Sequence, residues 1–122
     1  MIMNYLMQAH ILLEPFYPFI ALIWMHWFAD FFCQTDKMAV NKSSSNKWLG
    51  IHVAVYSIPF LYFGIAYAII NGIAHFCTDY VTSRMSKKRW EAGKVHNFFV
   101  VVGFDQAIHL TTLFLTYIWL VM

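Results

Sequence analysis

Apolar residues fill most of this 122-residue chain in long runs, and polar residues interrupt the runs at two places. The apolar runs cover residues 16–33, 48–81 and 97–121, and the polar stretches between them cover 34–47 and 82–96. An α-helix needs about 20 mainly apolar residues to cross the hydrocarbon core of a bilayer. The pattern therefore predicts an all-α fold, an integral membrane helical bundle.

The middle run, residues 48–81, is too long for one span and slightly short for two. The tripeptide 62–64, Tyr-Phe-Gly, is the best place for a tight reversal, which would give spans at about 48–62 and 65–81. A single long helix with an interfacial end is the alternative. We predict two short spans here, and hence four transmembrane helices in the chain.

The first 15 residues are predicted to form a segment of their own. Pro15 and Pro18 should interrupt a continuous helix, because proline lacks an N–H group and clashes with the preceding turn. The segment carries no Lys or Arg that would begin a signal peptide, so we expect it to be retained. We predict an interfacial segment at residues 1–15 and a four-helix transmembrane domain at residues 16–122.

The placement of charge gives this bundle an orientation. All eight Lys and Arg residues lie in the two polar stretches, three in 34–47 and five in 82–96. In a four-span bundle these two loops share one side, and the positive-inside rule places them in the cytoplasm with both termini opposite. The composition agrees, since only 11% of residues are charged against about a quarter in soluble domains. Cys33 and Cys77 lie inside apolar runs and predict no disulfide framework.

Seven ionisable side chains lie inside the predicted spans, where an unpaired charge is costly. These are His26, Asp30, His52, His75, Asp79, Asp105 and His109. Six of them form three pairs spaced four residues apart, so each pair occupies one helix face. Counted from the ends of the spans, most of the seven fall within a layer about 10 Å thick. Three unpaired carboxylates would cost about 8–10 kcal/mol in hydrocarbon, so they must meet partners in the bundle interior.

Imidazole and carboxylate together suit a divalent transition metal such as Zn, Fe or Mn, and helical bundles build such sites from ligands one turn apart. We predict one or two bound ions. The predicted metal ligands are His26, Asp30, His75, Asp79 and His109. Asp105 is a candidate general base or further ligand, and His52 a ligand or proton donor. Gln34, Lys42 and Gln106 are predicted to bind substrate.

Two other interpretations use the same residues. A His–Asp relay could carry protons or metal ions across the membrane. A polar core could instead only fix helix packing, in a structural or partner-binding protein. His10 and His96 lie outside the layer and are interpreted as ordinary interfacial residues. Three pairs and His52 at one depth favour the metal site over both alternatives.

The order of these motifs resembles the DUF3307 family of small membrane proteins. The residues that carry the resemblance are His26, Asp30, Gln34, Asp36, Lys42, His52, His75, Asp79, Asp105, Gln106 and His109. The family brings no established activity, but its outline is similar to that of membrane-bound metal-dependent hydrolases. The resemblance implies a bacterial or phage-encoded protein of the inner membrane.

The preferred hypothesis is a metal-dependent hydrolase embedded in the membrane and open to the cytoplasmic leaflet. Its substrate would be amphipathic, such as a lipid or an isoprenoid phosphate, because the site lies between apolar helices and a basic rim. The expected partners are the lipid bilayer and further copies of the chain or a larger membrane assembly. No nucleic-acid partner is expected.

Overall fold

Helices make up the whole fold, and the computed structural model describes all 122 residues. The α-helices are α1 (Ile2–Leu13), α2 (Tyr17–Trp27), α3 (Asp36–Asn41), α4 (Asn46–Ser57), α5 (Ile65–Glu91) and α6 (Val95–Leu120). Short 3-10 segments follow α1 and α4, at Glu14–Phe16 and Pro59–Phe63, and a π-helical turn at Phe28–Phe32 extends α2. The predicted all-α class is confirmed.

The longest helices, α5 and α6, form the most extensive pair in the bundle. A three-residue turn joins them, and Gly93 in that turn adopts a φ of 68° that favours glycine. The Tyr67 hydroxyl donates to the Leu113 carbonyl at 2.9 Å. The Asn71 amide donates to the Thr116 hydroxyl at 2.9 Å. These bonds link the two helices at one end, and α4 packs on α5 while α2 packs on α6.

The bundle buries many polar side chains and exposes many large apolar ones. Nineteen residues are buried, and nine of these are polar or charged. Large apolar side chains such as Ile73 and Phe104 are exposed, as they would be against lipid. Two helical stretches, Ile2–Phe32 and Val95–Leu120, are long and apolar enough to cross a membrane. All eight basic residues lie outside these two stretches.

The N-terminal third differs from the predicted arrangement. Instead of a break, the chain from residue 2 to residue 32 is helical apart from the 3-10 turn at Glu14–Phe16. Pro15 and Pro18 each lie in the first turn of the segment they begin, where a missing N–H costs little. A helix of thirty-one residues is about 46 Å long. This is about ten residues more than a 30 Å hydrocarbon core requires. The interfacial position of residues 1–15 stays a prediction.

The structure agrees with the predicted reversal at 62–64 but not with the full extent of the predicted loop at 82–96. The reversal predicted at 62–64 is present, since Gly64 ends the 3-10 segment with a φ of 115°. However, the polar stretch predicted as a loop at 82–96 is helical as far as Glu91. Arg84 stabilises this helical extension, because its guanidinium lies 3.9 Å over the Tyr80 ring and donates to the Tyr80 carbonyl. A high charge density marked the segment as polar but did not exclude a solvated helix.

Candidate metal centre

The π-helical turn at Phe28–Phe32 brings the first carboxylate into the bundle. Its widened backbone is closed by the Cys33 N–H donating to the Phe28 carbonyl at 2.9 Å. Such turns insert one extra residue into a helix and are frequent at functional sites. Here Asp30 and its neighbour Ala29 are both buried. The Asp30 carboxylate therefore reaches between α4 and α5.

Four side-chain atoms converge at this point, and we call their residues the primary group: Asp30, His52, His75 and Asp79. The His52 Nε2 atom lies 3.1 Å from Asp30 Oδ1, 3.2 Å from His75 Nε2 and 3.5 Å from Asp79 Oδ2. The His75 Nε2 atom lies 3.4 Å from Asp30 Oδ1 and 3.5 Å from Asp79 Oδ2. A tetrahedron with metal–ligand bonds of about 2.0–2.2 Å has edges of about 3.3–3.6 Å. Five of the six distances among these atoms are therefore close to the edges of such a tetrahedron, and all four atoms lie within 4.8 Å of one another.

The chemistry of these four atoms is also compatible with a shared cation. Ionised carboxylate oxygens only accept hydrogen bonds, and a neutral imidazole carries a single N–H group. The Nδ1 atoms of His52 and His75 are buried without a protein partner. The His75 ring is instead held by stacking on Tyr56 at 3.8 Å and on His109 at 4.0 Å between centroids. Both imidazoles thus direct Nε2 towards the two carboxylates.

One lysine borders the primary group. The Lys42 ammonium lies 2.9 Å from Asp79 Oδ2 and 3.5 Å from His52 Nε2. Lys42 follows α3 directly, and the short polar connection 43–45 leads from it to α4. Its positive charge therefore balances part of the negative charge of the site.

A second set of residues, Asp30, Asp105 and His109, lies beside the first, and we call it the adjoining group. The His109 Nε2 atom lies 3.2 Å from Asp105 Oδ2 and 3.1 Å from Asp79 Oδ1. The Gln106 amide donates to Asp30 Oδ2 and Asp105 Oδ2, both at 3.0 Å. The Thr82 hydroxyl also donates to Asp105. Thr82 and Gln106 already serve the Asp105 carboxylate, which the primary group lacks, and this favours one ion, in the primary group, over two.

The predicted ligands are distributed unevenly over these two groups. Asp30, His75 and Asp79 belong to the primary group, whereas His109 belongs only to the adjoining group. His26 belongs to neither, because its Nε2 contacts Gln106 Oε1 at 2.7 Å and its Nδ1 contacts a tyrosine hydroxyl. His52, predicted as a ligand or a proton donor, takes a position in the primary group.

A cavity of about 810 Å³ opens onto both groups between α3, α5 and α6. Its polar lining includes the carboxylates of Asp30, Asp79, Asp105 and Glu91 and the ammonium groups of Lys42 and Lys87. Its apolar lining includes Trp90, Phe98, Phe99, Val101 and Val102. The three residues predicted to bind substrate, Gln34, Lys42 and Gln106, all line this cavity.

A family model described as "Protein of unknown function (DUF3307)" matches residues 18–122. The chain belongs to the DUF3307 family. The matched range includes every residue of the primary and adjoining groups and excludes α1. No curated protein and no solved structure matches the chain. The family description names no reaction, so the function has to follow from the site itself.

Two residues of this centre, Tyr56 and Thr82, are not among those predicted from the sequence. Tyr56 lies one helical turn after His52, and Thr82 lies three residues after Asp79, so both share a face with a site residue. That spacing was the available signal, but tyrosine and threonine are common enough on apolar helices to pass unnoticed. Asp36, part of the family motif, is exposed at the start of α3 and outside the centre.

Proposed function

We propose that this DUF3307 protein is a membrane-embedded, metal-dependent hydrolase with one divalent transition metal, Zn, Fe or Mn, in the primary group. The observation that carries the proposal is the set of five interatomic distances of 3.1–3.5 Å among four buried ligand atoms. Mixed imidazole and carboxylate ligands suit these metals. The cavity gives the site an entrance that a purely structural metal would not need.

A hydrolytic site needs a coordination position that a substrate or water can reach. Four protein ligands are the number of a closed structural zinc site, whereas catalytic sites have three. Asp79 is the ligand best placed to leave, because the Lys42 ammonium lies 2.9 Å from the same carboxylate oxygen. The open position would then face the cavity, with Asp30, His52 and His75 retained.

A metal in this position would supply Lewis acidity and activate water near neutral pH. Asp105 is the candidate general base, since it borders the cavity and lies beside the primary group. The bonds from Thr82 and Gln106 hold its carboxylate in place. The geometry favours His52 as a ligand over a proton donor, because its Nε2 faces the converging atoms.

The mixed lining of the cavity supports an amphipathic substrate, such as a lipid or isoprenoid phosphate. Lys42 and Lys87 would contact its anionic head, and Phe98 and Phe99 would contact its apolar part. Gln34 Oε1 and Ser83 Oγ are buried in its lining without a protein partner. A head group that donates and accepts hydrogen bonds would satisfy both atoms.

The same proposal includes four transmembrane spans, with the basic segments on the cytoplasmic side of a bacterial or phage-encoded inner membrane. The exposed large apolar side chains of the bundle and its two candidate spans support the membrane location. The basic rim of the cavity would then lie at the cytoplasmic leaflet. Assembly into a homo-oligomer or with other membrane proteins is also part of the proposal.

The test is metal analysis of protein purified in detergent and loaded in turn with Zn, Fe and Mn. We expect about one equivalent of bound metal, which His75→Ala removes and His96→Ala, a control on an exposed histidine, retains. Less than about a tenth of an equivalent with each metal would overturn the metal centre and leave the Lys42–Asp79 pair as a packing device.

Reaction and transport are separated by two further measurements. The loaded protein should release phosphate from lipid or isoprenoid phosphates in mixed micelles, and His75→Ala should not. Metal-dependent flux into liposomes without any product would instead replace the hydrolase by a transporter that uses the same residues.

A further inference from the structure

A chain of hydrogen bonds runs from Tyr56 on α4 to the Asp30 carboxylate. The Tyr56 hydroxyl lies 3.2 Å from His26 Nδ1, and His26 Nε2 lies 2.7 Å from Gln106 Oε1. The Gln106 Nε2 atom lies 3.0 Å from Asp30 Oδ2 and 3.0 Å from Asp105 Oδ2. The chain therefore ends on the oxygen of Asp30 that is not directed at His52 and His75.

The chemistry of the groups fixes the direction of every bond in this chain. Asp30 and Asp105, when ionised, can only accept, so Gln106 must present its amide NH₂ to them. Its Oε1 then faces His26, and His26 Nε2 must carry the proton. In the neutral imidazole the Nδ1 atom is left as an acceptor, and the Tyr56 hydroxyl donates to it. Each residue thus sets the orientation of the next.

We infer that Tyr56 and His26 are positioning residues that act through Gln106 to orient Asp30 as a metal ligand. The inference rests on the proposed metal centre. With Oδ2 held by the Gln106 amide, Oδ1 stays directed at the site 3.1 Å from His52 Nε2. Outer hydrogen bonds of this kind orient metal ligands in many proteins. His26, which the sequence pairs with Asp30, therefore serves the metal without binding it.

The protein contains two similarly buried tyrosines that serve as a variant and its control. Tyr56 and Tyr67 are each 1% exposed. Tyr56→Phe removes the hydroxyl that bonds His26 but keeps the ring that stacks on His75. Tyr67→Phe removes a hydroxyl that donates to the Leu113 carbonyl, away from the centre. Gln106→Met, of similar volume and without donors, is a second variant that breaks the chain nearer to the metal.

The measurement is a Co²⁺ titration of each purified variant, followed by the visible ligand-field bands of bound cobalt. We expect Gln106→Met to weaken cobalt binding about 10–100-fold and Tyr56→Phe about tenfold, as for other outer-shell partners. Both variants should also shift the bands, because Asp30 changes its orientation. Tyr67→Phe should match the wild type in affinity and in spectrum.

Thermal unfolding of the metal-free proteins shows whether the hydroxyl acts on the metal or only on stability. A Tyr56→Phe protein that melts earlier but binds cobalt with wild-type affinity and bands would overturn the inference. So would equal cobalt affinities for Tyr56→Phe and Tyr67→Phe. Wild-type protein that binds no cobalt, Zn, Fe or Mn would instead overturn the metal centre, a failure that is visible before any variant is made.

Discussion

The interior of the bundle has two unlike ends. At one end, seven apolar residues form a continuous core with no charge: Leu22, Ala29, Tyr56, Phe60, Tyr67, Ala68 and Leu113. At the other end, the primary and adjoining groups bury three carboxylates and three imidazoles. The apolar end is complete as it stands, whereas the polar end concentrates negative charge that Lys42 balances only in part.

The apolar end stabilises the packing of the helices, whereas the polar end contains the proposed metal centre. Packing of apolar side chains and the bonds of Tyr67 and Asn71 tie α5 to α6 without reference to the site. Buried charges, by contrast, stabilise a bundle only when each has a partner. Tyr56 belongs to both ends, since its ring packs on Phe60 and its hydroxyl contacts His26. Substitutions at each end should therefore respond differently to metal.

The largest expected effect is at the apolar end. Phe60 is fully buried and its ring lies 5.0 Å from that of Tyr56. Phe60→Ala should lower the free energy of unfolding by about 3–5 kcal/mol, because a cavity replaces the ring. Tyr62→Ala, in the same 3-10 segment but 84% exposed, should have little effect. Unfolding in detergent micelles measures both, and most of the Phe60→Ala loss should persist when a chelator removes the metal.

At the polar end we expect stability to depend on metal. Metal at about 100 times its dissociation constant should raise the free energy of unfolding by about 2.7 kcal/mol, since it binds only the folded protein. His75→Ala should remove this increase, and His96→Ala should keep it. The measurement is unfolding in micelles with and without a chelator. An increase that survives in His75→Ala would mean that the metal binds elsewhere.

The sequence predicted the polar end better than its surroundings. The four-residue spacing in His75 and Asp79 placed both on one helix face, and the structure brings both into the primary group. The same spacing in His26 and Asp30 led to two predicted ligands, of which only Asp30 reaches that group. Spacing gives the face of a helix, but not which ring nitrogen finds a neighbouring donor or acceptor. In His26, the contact with the Tyr56 hydroxyl sets the orientation of the ring and of its two nitrogens.

The errors in the fold have a similar cause. The charged and polar residues after Asp79 predict a loop, because charge in a membrane protein marks the end of a span. Charge does not end a helix, however, and α5 continues to Glu91 with Lys87, Lys88 and Arg89 exposed. Without that extension Lys87 and Trp90 would not line the cavity. The predicted loop was thus the part of the sequence that most affects the entrance of the site.

A smaller effect is expected where the two ends meet. Gly72 on α5 lies so close to α4 that an added Cβ would meet Ser57 Oγ at 2.5 Å. Ser57 is itself bonded to the Val53 carbonyl at 2.8 Å. Gly72→Ala should therefore lower the free energy of unfolding by about 1–3 kcal/mol. It should also weaken metal binding, because α4 carries His52.

The control for Gly72→Ala is Gly103→Ala on α6, where an added Cβ meets nothing within 4 Å. That variant should be neutral or stabilised by up to about 1 kcal/mol, since glycine costs entropy inside a helix. Unchanged metal affinity in Gly72→Ala would show that α4 can move without disturbing the primary group, and the two ends would then be independent.

The smallest energetic effect, and the one most specific to function, is expected at Lys42. Its ammonium lies 2.9 Å from the Asp79 oxygen that faces the primary group, so it competes with a metal for that oxygen. Lys42→Met should tighten metal binding about tenfold, equivalent to about 1.4 kcal/mol, and should slow hydrolysis of anionic substrates. Lys88→Met, which removes an exposed charge outside the cavity lining, should change neither quantity. Weaker metal binding in Lys42→Met would mean that Lys42 orients Asp79 as a permanent ligand, and the open coordination position would then have to lie at another ligand of the primary group.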